Sequence, residues 1–211
     1  MGATGASNDE MDEKFLTIEK EVVNDFVIPT KSEEEKEKHR GRQFQIYFDA
    51  ESSTYRIKDL GIGYGAFVKL QEPIALRDNF LLNMGESYIV ANLLKPAEEA
   101  LMGRGIQRLR LKIFSVSKAD QPDVFCCQNE DQEIIIGRTP NCDIRIEDKL
   151  LSKAQATVKY EKGEWVLTDG FEGRESTNGT WLYLNEDWQL VDGMVFKSNQ
   201  TFFEAKIIQP K

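Results

Sequence analysis

Residues 64–94 read YGAFVKLQEPIALRDNFLLNMGESYIVANLL, and residues 178–208 read NGTWLYLNEDWQLVDGMVFKSNQTFFEAKII. The two stretches align without a gap at an offset of 114. Phe67 falls on Trp181, Leu70 on Leu184, Leu76 on Leu190 and Tyr88 on Phe202, and the turn pairs Asp78-Asn79 and Asp192-Gly193 coincide. Upstream, YRIKD (55–59) falls on WVLTD (165–169) at an offset of 110, so the second copy carries four extra residues, FEGR (171–174), in the intervening loop. A period this long is far from that of a solenoid and indicates a duplicated folding unit.

Within each copy the apolar residues alternate with period 2, the pattern of half-buried strands. In CDIRIED, Ile144 and Ile146 point one way while Arg145 and Glu147 point the other. ATVKYEKGEWVLTD reads as strand, Lys162-Gly163 turn, strand, with Trp165 and Leu167 as core anchors. FQIYFDAESSTYRIKDL repeats that form with a longer, Ser-rich turn, and Tyr55, Phe67 and Leu76 are read as core of the first copy. Short strands at close spacing with Gly, Asn and Asp turns predict β-sandwiches. Between the copies, LLKPAEEALMGRGIQRLR holds one good helix signal: Pro96 suits a first turn, Glu98 and Glu99 suit the positive helix end, and Gly103 can stop it.

The organisation expected is therefore a flexible tail at 1–12, a sandwich at 13–94, a short helical linker at 95–107 and a second sandwich at 108–211. KSEEEKEKHRGR (31–42) reads as a solvated loop or exposed helix. The Met-Gly start permits N-myristoylation of Gly2, but Ala6 stands where Ser or Thr is preferred, and a small-residue tail is the favoured reading.

Charge excludes several functions. The first 105 residues carry 13 Lys and Arg against 19 Asp and Glu, and the remaining residues carry 14 against 17. Neither half is a basic surface for a nucleic-acid backbone, so no nucleic-acid partner is expected. No apolar run reaches membrane-spanning length, so no membrane insertion is expected. Three cysteines, Cys126, Cys127 and Cys142, lack C-x-x-C spacing, and the single His39 lies in a charge run. No metal site and no cofactor follow from such a set. An odd cysteine count without that spacing points to a reducing intracellular compartment, cytoplasmic or nuclear. Adjacent Cys126 and Cys127 read as strand residues, one facing in and one out. The chain has no G-x-S-x-G and no P-loop, and GIGYG (61–65) precedes a strand pattern where a dinucleotide fingerprint needs a helix. Asp59 and Asp169 are matched by the repeat as turn residues, so they are not a carboxylate pair, and no enzyme is expected.

Against this acidic background the second copy collects a small anion-binding set. Gly137-Arg138 closes a strand, Ser152-Lys153 follows in the next loop with Gln155 two places on, then come a Trp-containing hairpin, Asp169 and STNGTW (176–181). That order and spacing resemble the forkhead-associated (FHA) domain, whose pattern runs Gly-Arg, Ser-Arg/Lys-x-His, a tryptophan hairpin, Asp, and Ser-x-Asn-Gly-Thr. The resemblance covers 108–211 and, through the repeat, makes the first copy FHA-like. It implies an all-β chain of two twisted FHA-like β-sandwiches joined by the helical linker, with Arg138, Ser152, Lys153, Thr177 and Asn178 binding a phosphothreonine peptide. It implies loop-structural roles for Gly137, Gln155 and Gly179.

The chemistry suits a phosphate: Arg138 can supply a charge-assisted fork, Lys153 a point charge and Ser152 a hydroxyl donor. The Asn178 amide can donate to and accept from a ligand backbone. Gln155 stands where the family usually has His, but it both donates and accepts and can take over a brace between loops. Arg174, in the inserted FEGR, is read first as a solvated charge and second as an accessory phosphate contact. The first copy departs further: Tyr64-Gly65 stands in place of Asn178-Gly179, FVIPTK lacks Gly-Arg, and Arg40 falls in the slot of Ser152. It reads as an FHA-like fold without phosphopeptide chemistry. The function expected is a non-catalytic adaptor that binds phosphothreonine proteins through its second copy. The alternative is a phospho-independent scaffold in a larger multi-protein complex, with both sandwiches as interaction surfaces.

Overall fold

A computed structural model of the chain describes residues 25–27, 42–94, 107–118, 121–127 and 131–208. The expectations for the 1–12 tail, for Gly2, His39 and Arg40, for the charge run up to residue 41 and for the helix over 95–106 lie outside the described residues. What is described is all-β apart from one 3₁₀ turn at Val116–Lys118.

The first copy forms β1 (Phe44–Asp49), β2 (Thr54–Asp59), β3 (Ala66–Lys69), β4 (Ile74–Ala75), β5 (Phe80–Met84) and β6 (Ser87–Leu94). The second copy opens with β7 (Arg108–Phe114), β8 (Asp123–Cys127), β9 (Ile134–Gly137) and β10 (Ile144–Arg145). It continues with β11 (Ala156–Glu161), β12 (Glu164–Asp169), β13 (Thr180–Tyr183), β14 (Trp188–Gln189), β15 (Val195–Ser198) and β16 (Thr201–Glu204). Turn chemistry accounts for the hairpins. Lys162 and Gly163, joining β11 to β12, both have positive φ (52° and 92°), the two-residue geometry whose twist matches that of the flanking strands. Alternation sets the faces: Leu109, Leu111 and Ile113 of β7 are buried, as are Ile144 and Ile146, while Arg145 and Glu147 stay outside and meet at 3.1 Å. Cys126 is exposed and Cys127 buried, as their strand positions require.

The strands form three sheets. One orders β10-β9-β11-β12-β4, one β1-β2-β14, and an eight-stranded sheet runs β16-β15-β3-β13-β5-β6-β7-β8. The expected separation into one sandwich over 13–94 and another over 108–211 is not how the sheets divide. Strands β4, β5 and β6 of the first copy join the second copy's β12, β13 and β7. Reciprocally, β14 and β15 of the second copy join β2 and β3 of the first.

The exchange is symmetric to the residue. Ile74 pairs with Leu167 and its repeat mate Trp188 pairs with Ile57; Met84 pairs with Thr180 and Ser198 with Ala66. Loop hydrogen bonds follow suit: Leu76 N donates to Trp165 O (2.7 Å) and Leu190 N to Tyr55 O (2.8 Å). At the centre β3 pairs antiparallel with β13, so the two copies are related by an approximate twofold axis through the eight-stranded sheet. The reason is physical. Both copies carry the same apolar pattern, and period 2 fixes which face of a strand is buried without fixing which copy buries it. Residues 70–73 and 184–187 carry the chain across to the other copy's sheets. One hydrophobic cluster results, containing Ile57, Leu82 and Phe196 together with Leu109, Trp165 and Leu182.

Phe67 and Leu76 are buried as expected, but Tyr55 is not core. Its repeat mate Trp165 is 1% exposed and donates its indole N–H to Gln107 O at 2.6 Å. Tyr55 is 49% exposed and meets the ring of Phe48, itself half open to solvent, at 5.2 Å.

Candidate functional site

The loops that leave β9, β10 and β12 converge at one end of the β10-β9-β11-β12-β4 sheet. Gly137 ends β9 and its carbonyl accepts from Ile146 N at 2.9 Å. A Cβ on Gly137 would lie 2.3 Å from the Lys153 carbonyl oxygen, so only glycine fits there. That carbonyl is a fixed point, accepting from Thr139 Oγ1 (3.0 Å) and Cys142 Sγ (3.1 Å), while Arg138 N donates to Ser152 O (3.2 Å). Arg138 and Lys153 are thereby held on adjacent turns with their side chains exposed.

Gln155 is wholly buried and satisfies three loops at once. Its Oε1 accepts from Ser152 N at 2.9 Å; its Nε2 donates to Ser176 Oγ at 2.7 Å and Gly179 O at 3.0 Å, with Thr180 Oγ1 at 3.4 Å. Its backbone ties β9 to the loop after β12, with Gln155 N donating to Ile136 O and Gly170 N to Gln155 O, both at 2.7 Å. An amide group suits this place because it needs a donor on one side and an acceptor on the other.

The STNG segment is built on Asp169, which accepts from Ser176 N (3.0 Å) and Ser176 Oγ (2.7 Å). Thr177 N donates to Ser152 Oγ at 2.9 Å, and Ser152 Oγ lies 3.2 Å from Thr177 Oγ1. Asn178 Nδ2 donates to Leu150 O at 2.7 Å, and its own carbonyl accepts from Trp181 Nε1 at 2.9 Å. Gly179 has φ +77°, the left-handed conformation that the turn into β13 requires. The inserted FEGR is a miniature hairpin: Phe171 and Arg174 exchange two backbone hydrogen bonds at 3.0 Å, with Glu172 and Gly173 at positive φ.

Between these loops lies an open cleft of about 460 Å³, lined by Arg138, Ser152, Lys153, Arg174, Thr177 and Asn178 among others. All five residues expected to bind, and the accessory Arg174, thus reach one surface. The sequence reading missed Lys149, a fourth cation on the lining, as well as the carboxylates of Glu172 and Glu175. Four cations against two carboxylates make the cleft locally basic on an acidic chain. Among the described residues none of the four cations forms an ion pair; Glu175 lies 3.9 Å from Lys69 Nζ, contributed by the first copy. Charge-assisted donors left uncommitted at a cleft are what a phosphate or carboxylate recruits. Lys149 was legible as a cation three residues before Ser152, but nothing in its spacing placed it on the cleft side.

Residues 134–202 match the family model of the FHA domain. No curated protein and no solved structure matches the chain. The FHA match takes in Gly137-Arg138, Ser152-Lys153, Gln155 and Ser176–Gly179, and FHA domains are phosphopeptide-binding modules of protein–protein interaction. It also runs through β14 and β15, which in this fold pair with the first copy, whereas β12 and β13 of the match pair with β4 and β5 from outside it.

At the corresponding place of the first copy, Asp59 keeps the role of Asp169 by accepting from Gly61 N and Ala66 N, both at 2.7 Å. It also accepts from Tyr183 Oη at 2.6 Å. Burial, reinforced by the Asp59 carboxylate, pushes the Tyr183 phenol up to about 12, so it stays a donor at neutral pH. Tyr64 is exposed and offers no side-chain amide there. Among the described residues, no group of three or more His, Cys, Asp and Glu is arranged to hold a metal, and no helix is long and apolar enough to cross a membrane.

Proposed function

We propose that the chain is a non-catalytic adaptor that binds phosphothreonine-containing proteins through the FHA loops of its second copy. The observation that carries this reading is the convergence of Arg138, Ser152, Lys153, Thr177 and Asn178, drawn from three loops, on one cleft. Arg138 and Lys153 neutralise the phosphate, Ser152 and Thr177 donate to its oxygens, and Asn178 holds the peptide backbone. Gln155 supports the reading because its side chain bonds to the loops of Ser152 and of Ser176–Gly179 at once. The test is binding of the full chain to a degenerate phosphothreonine peptide library beside phosphoserine and unphosphorylated libraries. Enrichment from the phosphothreonine library alone is expected. Equal recovery from all three, or from none, contradicts the reading.

A second reading, a phospho-independent scaffold, is favoured by the first copy's β1–β2 hairpin. Ile46, Phe48 and Tyr55 there are each about half exposed, while Val158 and Trp165, at the places of Ile46 and Tyr55 in the β11–β12 hairpin, are fully buried. An apolar patch of this kind marks protein contact surfaces. Binding of a partner that survives phosphatase treatment and is lost in Phe48→Asp would favour it.

A further inference from the structure

The recognition loop from Asp148 to Ser152 is not held by the second copy alone. Asp148 is buried, and both of its oxygens are used. Oδ2 accepts from Glu86 N at 2.7 Å and Ser87 Oγ at 3.1 Å, and Oδ1 accepts from Leu150 N at 2.8 Å. Glu86 and Ser87 lie at the β5–β6 turn of the first copy, about sixty residues earlier in the chain. The approach is close: a Cβ on Gly85, whose φ of +60° already favours glycine, would sit 2.6 Å from Asp148 Oδ2 and 2.8 Å from Leu151 Cδ1. Leu150, whose N–H is fixed by Asp148, offers its carbonyl to Asn178 Nδ2 at 2.7 Å. A continuous run of hydrogen bonds therefore leads from the first copy's turn, through Asp148 and Leu150, to the Asn178 amide.

We propose that Asp148 is a positioning residue for the cleft, locking the first copy's β5–β6 turn to the loop that aims Asn178, so that ligand affinity depends on the first copy. A buried carboxylate suits the task because it accepts from three donors at once, and charge-assisted bonds are stronger than neutral ones. An asparagine at 148 keeps the shape but turns one acceptor into a donor facing other donors, so it can hold the turn or the loop but not both. The affinity part of this proposal rests on the phosphothreonine reading; the positioning part does not.

The test uses the full chain as wild type, Asp148→Asn and Ser87→Ala. The second variant removes one of the turn's two bonds and leaves Glu86 N in place. The Asn178 side-chain amide is followed by NMR without ligand, and affinity for the phosphothreonine library is measured at low temperature, where circular dichroism shows each variant folded. Leu190→Ala, in the other half of the molecule, serves as a variant that lowers stability without touching the cleft. The Asn178 amide resonances should move in Asp148→Asn and, less, in Ser87→Ala, but not in Leu190→Ala. Affinity in Asp148→Asn should fall about five-fold or more. Asn178 resonances unmoved in both cleft variants, or affinity unchanged in both, overturns the proposal. Should the wild type bind no phosphothreonine peptide, that reading fails by itself, and the ligand-free Asn178 signal still decides the positioning role.

Discussion

Val68 on β3 and Leu182 on β13 occupy the same place in the two copies, and they pair with each other. Every exchange in the fold radiates from this pair, because an approximate twofold axis between them sends each copy's last three strands into the other's sheets. This is domain swapping within one chain. Its consequence for function is that the FHA-matching loops are carried by a sandwich assembled from both copies.

The exchange predicts the behaviour of a cleaved chain. If a protease site is placed in 95–106 and cut, the two pieces share the strand pairs β3·β13, β13·β5, β15·β3, β12·β4, β14·β2 and β6·β7. They should co-elute as one species in size-exclusion chromatography and separate only in denaturant. Separation under native conditions contradicts the interleaved sheets.

Gly137 should tolerate no side chain. Its Cβ position is 2.3 Å from a backbone oxygen that two other groups already hold, so Gly137→Ala must move the loop. A loss of about 1–3 kcal/mol is expected, read as a lower urea midpoint at unchanged slope. A wild-type midpoint would show that the Lys153 carbonyl is free to shift.

Gln155→Ala removes the acceptor of Ser152 N and the donor to Ser176 Oγ and Gly179 O in a fully buried place. Unsatisfied buried groups put the cost at about 1–3 kcal/mol. Gln155→Glu should cost more, since it buries a charge and turns the donor to those oxygens into a second acceptor. Equal midpoints for the two variants would contradict the donor role.

How much of this was legible in the sequence differs from residue to residue. Trp165 and Leu167 were identifiable as core because alternation is a local property, and Arg138, Ser152 and Asn178 were grouped by the resemblance of their motif order to the FHA pattern. The exchange was not legible. Ile74 and Trp188 occupy the same repeat position, and either could pair with Leu167 or Ile57 without changing which face is apolar. Tyr55 was misread for a related reason: its pattern matches that of Trp165, but burial depends on distant partners, and Trp165 has Gln107 O for its indole N–H while Tyr55 meets the half-exposed Phe48. Asp148 stands in no motif of the sequence, and only the exchanged β5–β6 turn makes it a junction.

Lys197 gives a pH prediction. Its ammonium lies 4.5 Å from the centre of the Trp181 ring and 2.6 Å from Asn83 Oδ1, and desolvation pushes its pKa down to about 8 from an ordinary 10.5. Between those values the unfolded chain holds more protons than the folded one, so stability rises with pH. Wild type should gain stability from pH 8 towards pH 10.5 relative to Lys197→Met, which lacks the titrating group. Parallel stability curves for the two proteins over that window would contradict the desolvated amine.

Phosphate reading by Arg138 is tested most directly by calorimetric titration of wild type, Arg138→Lys and Arg138→Ala with a phosphothreonine peptide selected from the library. Arg138→Ala should lose about 10- to 100-fold in affinity, the worth of a charge-assisted bond, with Arg138→Lys in between. Wild-type affinity in Arg138→Ala would mean that the phosphate is not read in this cleft.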